Sequence, residues 1–282
     1  MTEGCAYGFT MSDFLHTTLL GKRVHRVGVS NNYGIDGDGL RKAFDHGLNY
    51  VWYVRGTEKV ATEPIREACA RDRDSVFIAT GPSMGFTAGS VRKHCEKVLK
   101  KLDTDHVDLL QLFWAGKMSR ISDATLTALT KLREEGKSRG IGDSIHDRQW
   151  AGRLARERVF DVLMIRYNAG HPGAEEDIFP HVGEGADKVG VVSYTSTRWG
   201  TLLKKPGGWE DRPATAAECY NFALTHPAVD VVLTGPDSWE QLKANLDGLE
   251  APLDAQRVAW MKELGAKARG SNPVTGFFTE GF

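Results

Sequence analysis

The chain has 282 residues in which 36 Lys and Arg stand against 37 Asp and Glu, with no basic block, so neither a nucleic acid nor an anionic membrane surface is indicated as a partner. Its longest apolar runs, such as VDVVL (229–233), are strand-sized and far short of a bilayer span, and no basic segment followed by an apolar core opens the chain. Cys5, Cys69, Cys95 and Cys219 are too widely spaced for a zinc knuckle or a C-x-x-C pair, which predicts reduced thiols in a soluble cytoplasmic protein.

Residues 1–16, MTEGCAYGFTMSDFLH, read as a leader without assigned function, and residues 17–282 as one domain. From there short β-rich runs alternate with amphipathic helical windows. Strand VHRVGVS (24–30) precedes helix 39–47, LNYVWYV (48–54) precedes 61–70, and SVFIAT (75–80) precedes 89–102. HVDLLQLF (106–113) then precedes helix 121–136, RGIGDS (139–144) precedes 147–157, and VFDVLMIR (159–166) precedes 174–184. VGVVSY (189–194) with helix 217–226 and VDVVLTG (229–235) with helix 238–248 complete the series, and Trp260 and Met261 fit a final covering helix.

Within GSVRKHCEKVLKKL, Val91, Cys95, Val98 and Leu102 are spaced four, three and four apart, which draws one apolar stripe. Ser90 and Ser122 are the predicted N-caps of their helices. Val191, Val192, Val231 and Val232 give continuous β-branched runs, as a sheet covered on both faces requires. Eight strand–helix pairs in regular alternation demand parallel strands with right-handed crossovers, and an α/β (β/α)8 TIM barrel is the closed solution. A doubly wound dinucleotide fold would place a G-x-G-x-x-G after an early strand, and none stands there.

In this order LNYVWYVRGTE (48–58), FIATGPS (77–83), VDLLQLFWAGK (107–117), EEGKSRGIGDSIHD (134–147), FDVLMIRYN (160–168) and VVLTGPDSWEQLKANL (231–246) resemble the aldo-keto reductases. The resemblance implies a barrel binding NADP(H) and a small-molecule carbonyl, with hydride transfer assisted by an Asp/Tyr/Lys/His tetrad. It places Trp52 at the Asp, Thr57 at the Tyr, Gly81 at the Lys and Phe113 at the His. An aliphatic hydroxyl at Thr57 with no ammonium beside it is no proton donor at neutral pH. Among the family's cofactor contacts Ser144 and Tyr194 match, Ile145 and Met164 replace an Asn and a Gln, and Gly235, Gln241 and Asn245 fall in the terminal loop. That loop carries Asp237 and no Arg, so a 2′-phosphate would be weakly neutralised and NADP binding weakened or lost.

Arg166, His146, Lys117 and Tyr53 are the remaining candidates for chemistry. Met164, Arg166 and Asn168 share a strand face, which aims Arg166 at the mouth, while Tyr53 alternates away from Trp52. Against these stand plainer roles: Arg166 in an ion pair with Asp143, His146 as a loop cap, Trp52, Phe113 and Trp114 as packing. His171, Glu175 and His181 lack a metal spacing, and no metal is expected. The resemblance favours a divergent NADP(H)-linked oxidoreductase, monomeric or a small homo-oligomer. A cofactor-independent acid–base enzyme and a non-catalytic metabolite-binding pseudoenzyme stay open.

Overall fold

The computed structural model describes residues 11–30, 32–54, 56–82, 87–115, 121–249 and 251–270. Eight parallel strands close into a barrel in sequence order: β3 (Val27–Ser30), β4 (Tyr50–Tyr53), β5 (Phe77–Thr80), β6 (Val107–Ala115), β7 (Ser138–Ile145), β8 (Val162–Arg166), β9 (Gly190–Tyr194) and β10 (Val231–Thr234). β10 pairs with β3 through Val232–Val27 and Thr234–Val29, so no edge remains. The eight strands expected from alternation are these eight.

The start of the chain differs from expectation. The run Val24–Ser30 is two elements, because His16–Leu19 (β1) and Lys22–His25 (β2) form an antiparallel hairpin before β3. Leu20 and Gly21 both have positive φ (51° and 75°), the two-residue turn whose twist suits a hairpin. Met11–Leu15 (α1) leads into it, with Phe14 buried in the core. Leu19, Leu20 and Val24 close the amino-terminal end of the barrel, packing with Tyr50, Phe77 and Leu109. Gly140 and Gly190 admit them, since an added Cβ would lie 2.5 Å from Leu20 and 2.4 Å from Leu19. Lys22 anchors the plug by donating to the Val76 carbonyl at 2.5 Å and to Asp108 at 3.1 Å. Asp108, fully buried, also accepts from Arg73 at 2.9 Å and from the Ile78 amide at 2.8 Å, which compensates its desolvation.

The outer layer is α2 (Gly37–Asp45), α3 (Glu58–Arg71), α4 (Ala88–Leu102), α5 (Asp123–Glu134), α6 (Arg148–Arg156), α7 (Ala174–Asp177), α8 (Ala216–Thr225), α9 (Trp239–Asp247) and α10 (Ala255–Gly270). Val91, Cys95, Val98 and Leu102 are the buried stripe of α4. Its N-cap is Thr87 rather than Ser90: Thr87 accepts from the Ser90 amide and Ser90 returns the bond, a capping box that starts the helix earlier. Ser122 caps α5 as expected. The helix expected over 174–184 shrinks to α7 and one 3-10 turn, Phe179–His181, because Pro180 lacks an amide hydrogen and Gly183 takes a φ of 76°. Among the described residues no helix is long and apolar enough to cross a membrane.

Candidate active site

Strand register fixes which side chains meet inside the barrel mouth. Trp52 is level with Ala79, Phe113 with Ser144, and Ser144 with Met164; one step higher on this face Arg166 is level with Tyr194. These inward positions divide into an apolar side on β4–β6 and a polar side on β7–β9.

On the apolar side Trp52 and Phe113 meet edge to face with ring centroids 4.6 Å apart, and only 7% and 8% of their surfaces remain accessible. Gly81 lies beneath them. A Cβ built there would sit 1.6 Å from the Gln111 carbonyl oxygen and 3.3 Å from the Phe113 ring, so this backbone approach admits no side chain. Thr57 is buried at the start of α3, its hydroxyl donating to the Val54 carbonyl at 2.8 Å and accepting from the Val54 amide at 3.1 Å. Tyr53 leaves the candidate set: alternation turns it into the helix layer, where its hydroxyl and Thr62 Oγ1 are 2.9 Å apart. Gln111 points inward, donates weakly to the Met164 sulfur at 3.4 Å, and its Oε1 is buried without a partner among the described residues.

The polar side carries Ser144, His146, Arg166 and Tyr194. The Tyr194 hydroxyl lies 3.0 Å from His146 Nδ1. Burial, and after it the positive charge of Arg166, holds the imidazole below its ordinary range, so it is neutral at pH 7. Burial pushes the Tyr194 hydroxyl up, while Arg166 pulls it back. Met164 offers only its sulfur, which accepts from Gln111. Lys117 and Arg55 lie outside the described residues.

A cavity of about 570 Å³ opens beside this pair, lined by His146, Arg148, Arg166, His171, Lys262 and Arg269 among others. The loop after β9 is strained, with Thr195, Arg198 and Trp199 at φ of 56°, 52° and 53°. It is held by Asn168, which donates to the Thr195 carbonyl at 2.9 Å, and by Arg198, which donates to the Ala268 carbonyl at 3.1 Å. Sequence reasoning reached Arg166, His146 and His171 but missed Arg148, Lys262 and Arg269. The last two sit seven residues apart on α10, a same-face spacing that would have paired them.

At the terminal loop Gly235 lies under the Tyr33 ring, which an added Cβ would meet at 2.2 Å. Gln241 closes back on Asp237, accepting from its amide at 2.9 Å and donating to its carboxylate at 3.1 Å. Ser238 caps α9 and donates to Asp237 at 2.8 Å; Asn245 is half-buried farther along α9. These residues suit one end of a nicotinamide dinucleotide better than the other. Ser144 presents a hydroxyl and Tyr194 an aromatic face at the mouth. At the far end the Ser238 hydroxyl caps the helix N-terminus that would receive a phosphate, and the Asp237 carboxylate next to it adds negative charge. Among the described residues no cluster of His, Cys, Asp or Glu is arranged to hold a metal.

Comparison with known proteins agrees with the barrel. L-galactose dehydrogenase of Arabidopsis thaliana is 26% identical over 249 residues, covering 73% of this chain and 75% of that protein. Methylglyoxal reductase YeaE of Escherichia coli (strain K12) is 31% identical over 166 residues, and the match spans about half of each chain, 55% in both cases. The holo form of aldo-keto reductase AKR11C1 from Bacillus halodurans superposes with a TM-score of 0.71 at 22% identity, covering 88% of this chain and 95% of that one, which supports the fold. The profile described as Aldo/keto reductase family matches residues 37–218, well over half of the sequence, and the protein belongs to that family.

Proposed function

We propose that this protein is a small-molecule oxidoreductase of the aldo-keto reductase type, linked to a nicotinamide dinucleotide, working without the family's Asp/Tyr/Lys/His relay. The observation that carries this reading is the hydrogen bond between Tyr194 and a neutral His146 at the mouth, above Ser144 and Met164 and beside Arg166. In this reading Trp52, Thr57, Gly81 and Phe113 stand at the four relay positions as packing.

A nicotinamide dinucleotide, when bound, would supply the hydride chemistry at the substrate carbon. His146 exchanges the proton at the substrate oxygen, and its depressed basicity favours the neutral base, hence the alcohol-oxidising direction near neutral pH. The Tyr194 hydroxyl positions that imidazole, and the Arg166 guanidinium stabilises charge developing on the oxygen. Ser144, the Tyr194 face and the Gly235–Asn245 segment would hold the cofactor, and Asp237 would weaken NADP binding.

Titration of the purified protein with NADPH, NADP and NADH, followed by tryptophan fluorescence and thermal protection, tests the reading. Saturable micromolar binding supports it, with NADH at least matching NADPH. No binding at millimolar nucleotide removes hydride transfer and leaves cofactor-independent acid–base catalysis or metabolite binding, the second of which the closed contacts at Gly81 and Trp52 favour. Phe113→His alone should restore no carbonyl turnover, because relay groups act as a unit.

A further inference from the structure

The cavity wall is not fully used by the chemistry proposed above. Its cations come from three separate elements: Arg148 opens α6, Arg166 ends β8, and Lys262 and Arg269 lie on α10. The acids facing it are Glu175 and Glu176, with Asp177 behind Arg148. Glu175 is committed, accepting from Tyr167 at 2.7 Å and from Lys262 at 2.6 Å. Arg148 pairs with Asp177 at 3.1 Å and remains half exposed. Its guanidinium rests on Gly173, where a Cβ would lie 1.2 Å from Nη1, so the absent side chain at 173 gives the guanidinium its seat.

His171 reports the resulting field. The Asn168 amide is oriented by backbone at both ends, donating to the Thr195 carbonyl and accepting at Oδ1 from the Gly170 amide at 3.0 Å. His171 Nδ1, 3.2 Å from that oxygen, therefore carries the proton and donates. Nε2 bears the lone pair and is buried without a partner among the described residues. Burial, then Arg166, Arg198, Arg269 and Arg148, drives this imidazole down to about 3. Four guanidiniums acting on one ring mark a region of concentrated positive potential.

We propose that this cavity binds a small organic oxyanion, a carboxylate or a phosphate monoester, at Arg148 and Arg269, the two guanidiniums of its wall that the chemistry above does not use. The planar guanidinium forks match both groups. Because His146 and Arg166 line the same cavity, an anion seated on Arg148 and Arg269 leaves the rest of the molecule facing them. As a substrate site this rests on the oxidoreductase reading; as an anion site it does not.

Calorimetric titration of the full chain with inorganic phosphate and with malonate, at ionic strength fixed by sodium chloride, tests the proposal. Saturable one-to-one binding is expected, weakened at least fivefold in Arg269→Gln and in Arg148→Gln and unchanged in the distant surface variant Arg41→Gln. Gly173→Ala, which displaces Arg148 without removing charge, should weaken it as well. Proton NMR of His171 should show its titration midpoint rising by more than one pH unit at saturation. Preference for phosphate or for malonate identifies the source of the anion. Heats no different from chloride, or binding that Arg148→Gln and Arg269→Gln leave unchanged, would overturn it. Nucleotide titration reports separately, so a failed hydride reading and a failed anion site are distinguishable.

Discussion

The two sides of the barrel mouth share one architecture and opposite chemistry. On β4–β6 the inward positions are filled by Trp52 and Phe113 over a Gly81 that touches the Gln111 backbone. On β7–β9 the equivalent level holds Ser144, His146, Arg166 and Tyr194 beside an open cavity. Packing removes solvent and fixes position on one side, and desolvated polar groups tune each other's acidity on the other. One arc of a barrel rim can therefore be packed shut while another stays open and polar, because each strand end is an independent attachment point.

The sharpest way to break this comparison is Gly81→Lys. With no room even for a Cβ, it should fail to accumulate as folded protein or lose more than about 4 kcal/mol in urea unfolding, and Gly81→Ala should show the same direction. Native-like stability of either would mean β5 and β6 separate easily there. Trp52→Ala should cost about 3–5 kcal/mol by opening a cavity. Tyr194→Phe on the polar side should cost only about 1 kcal/mol yet lower turnover by roughly 100-fold, with KM changing less than kcat.

The eight strands and most helices were legible in the sequence because period-2 and period-3.6 patterns are local. What escaped was set by tertiary partners. Val24–Ser30 reads as one β-branched run, and only the barrel floor shows why it breaks into a hairpin arm and a barrel strand. Ser90 and Thr87 are equally good caps until the chain direction at residue 87 is known. The resemblance located the mouth, and alternation correctly aimed Arg166 inward and Tyr53 outward. The cavity could not be read this way, since its wall joins residue 148 to residue 269 through packing alone.

Two smaller effects sharpen the polar side. His171 has its folded pKa lowered to about 3, below the unfolded value, so its contribution is fully present above about pH 6.5 and is lost as pH falls toward 3. Discounted for partial exposure, the loss between pH 7 and 5 is about 1 kcal/mol, and His171→Gln should flatten that part of the pH–stability curve. Smallest, Asp237→Asn should improve NADPH binding relative to NADH by about fivefold, read by competition at low salt.

The contact between Gly81 and the Gln111 carbonyl also bears on reversibility. A missing side chain is ordinarily a vacancy that one codon change can refill. Here the neighbouring main chain fills that space, so placing any side chain at 81 means prising two strands apart before any benefit is felt. Substitution at this position is therefore opposed by the backbone itself, whereas the ends of β7–β9 border open space.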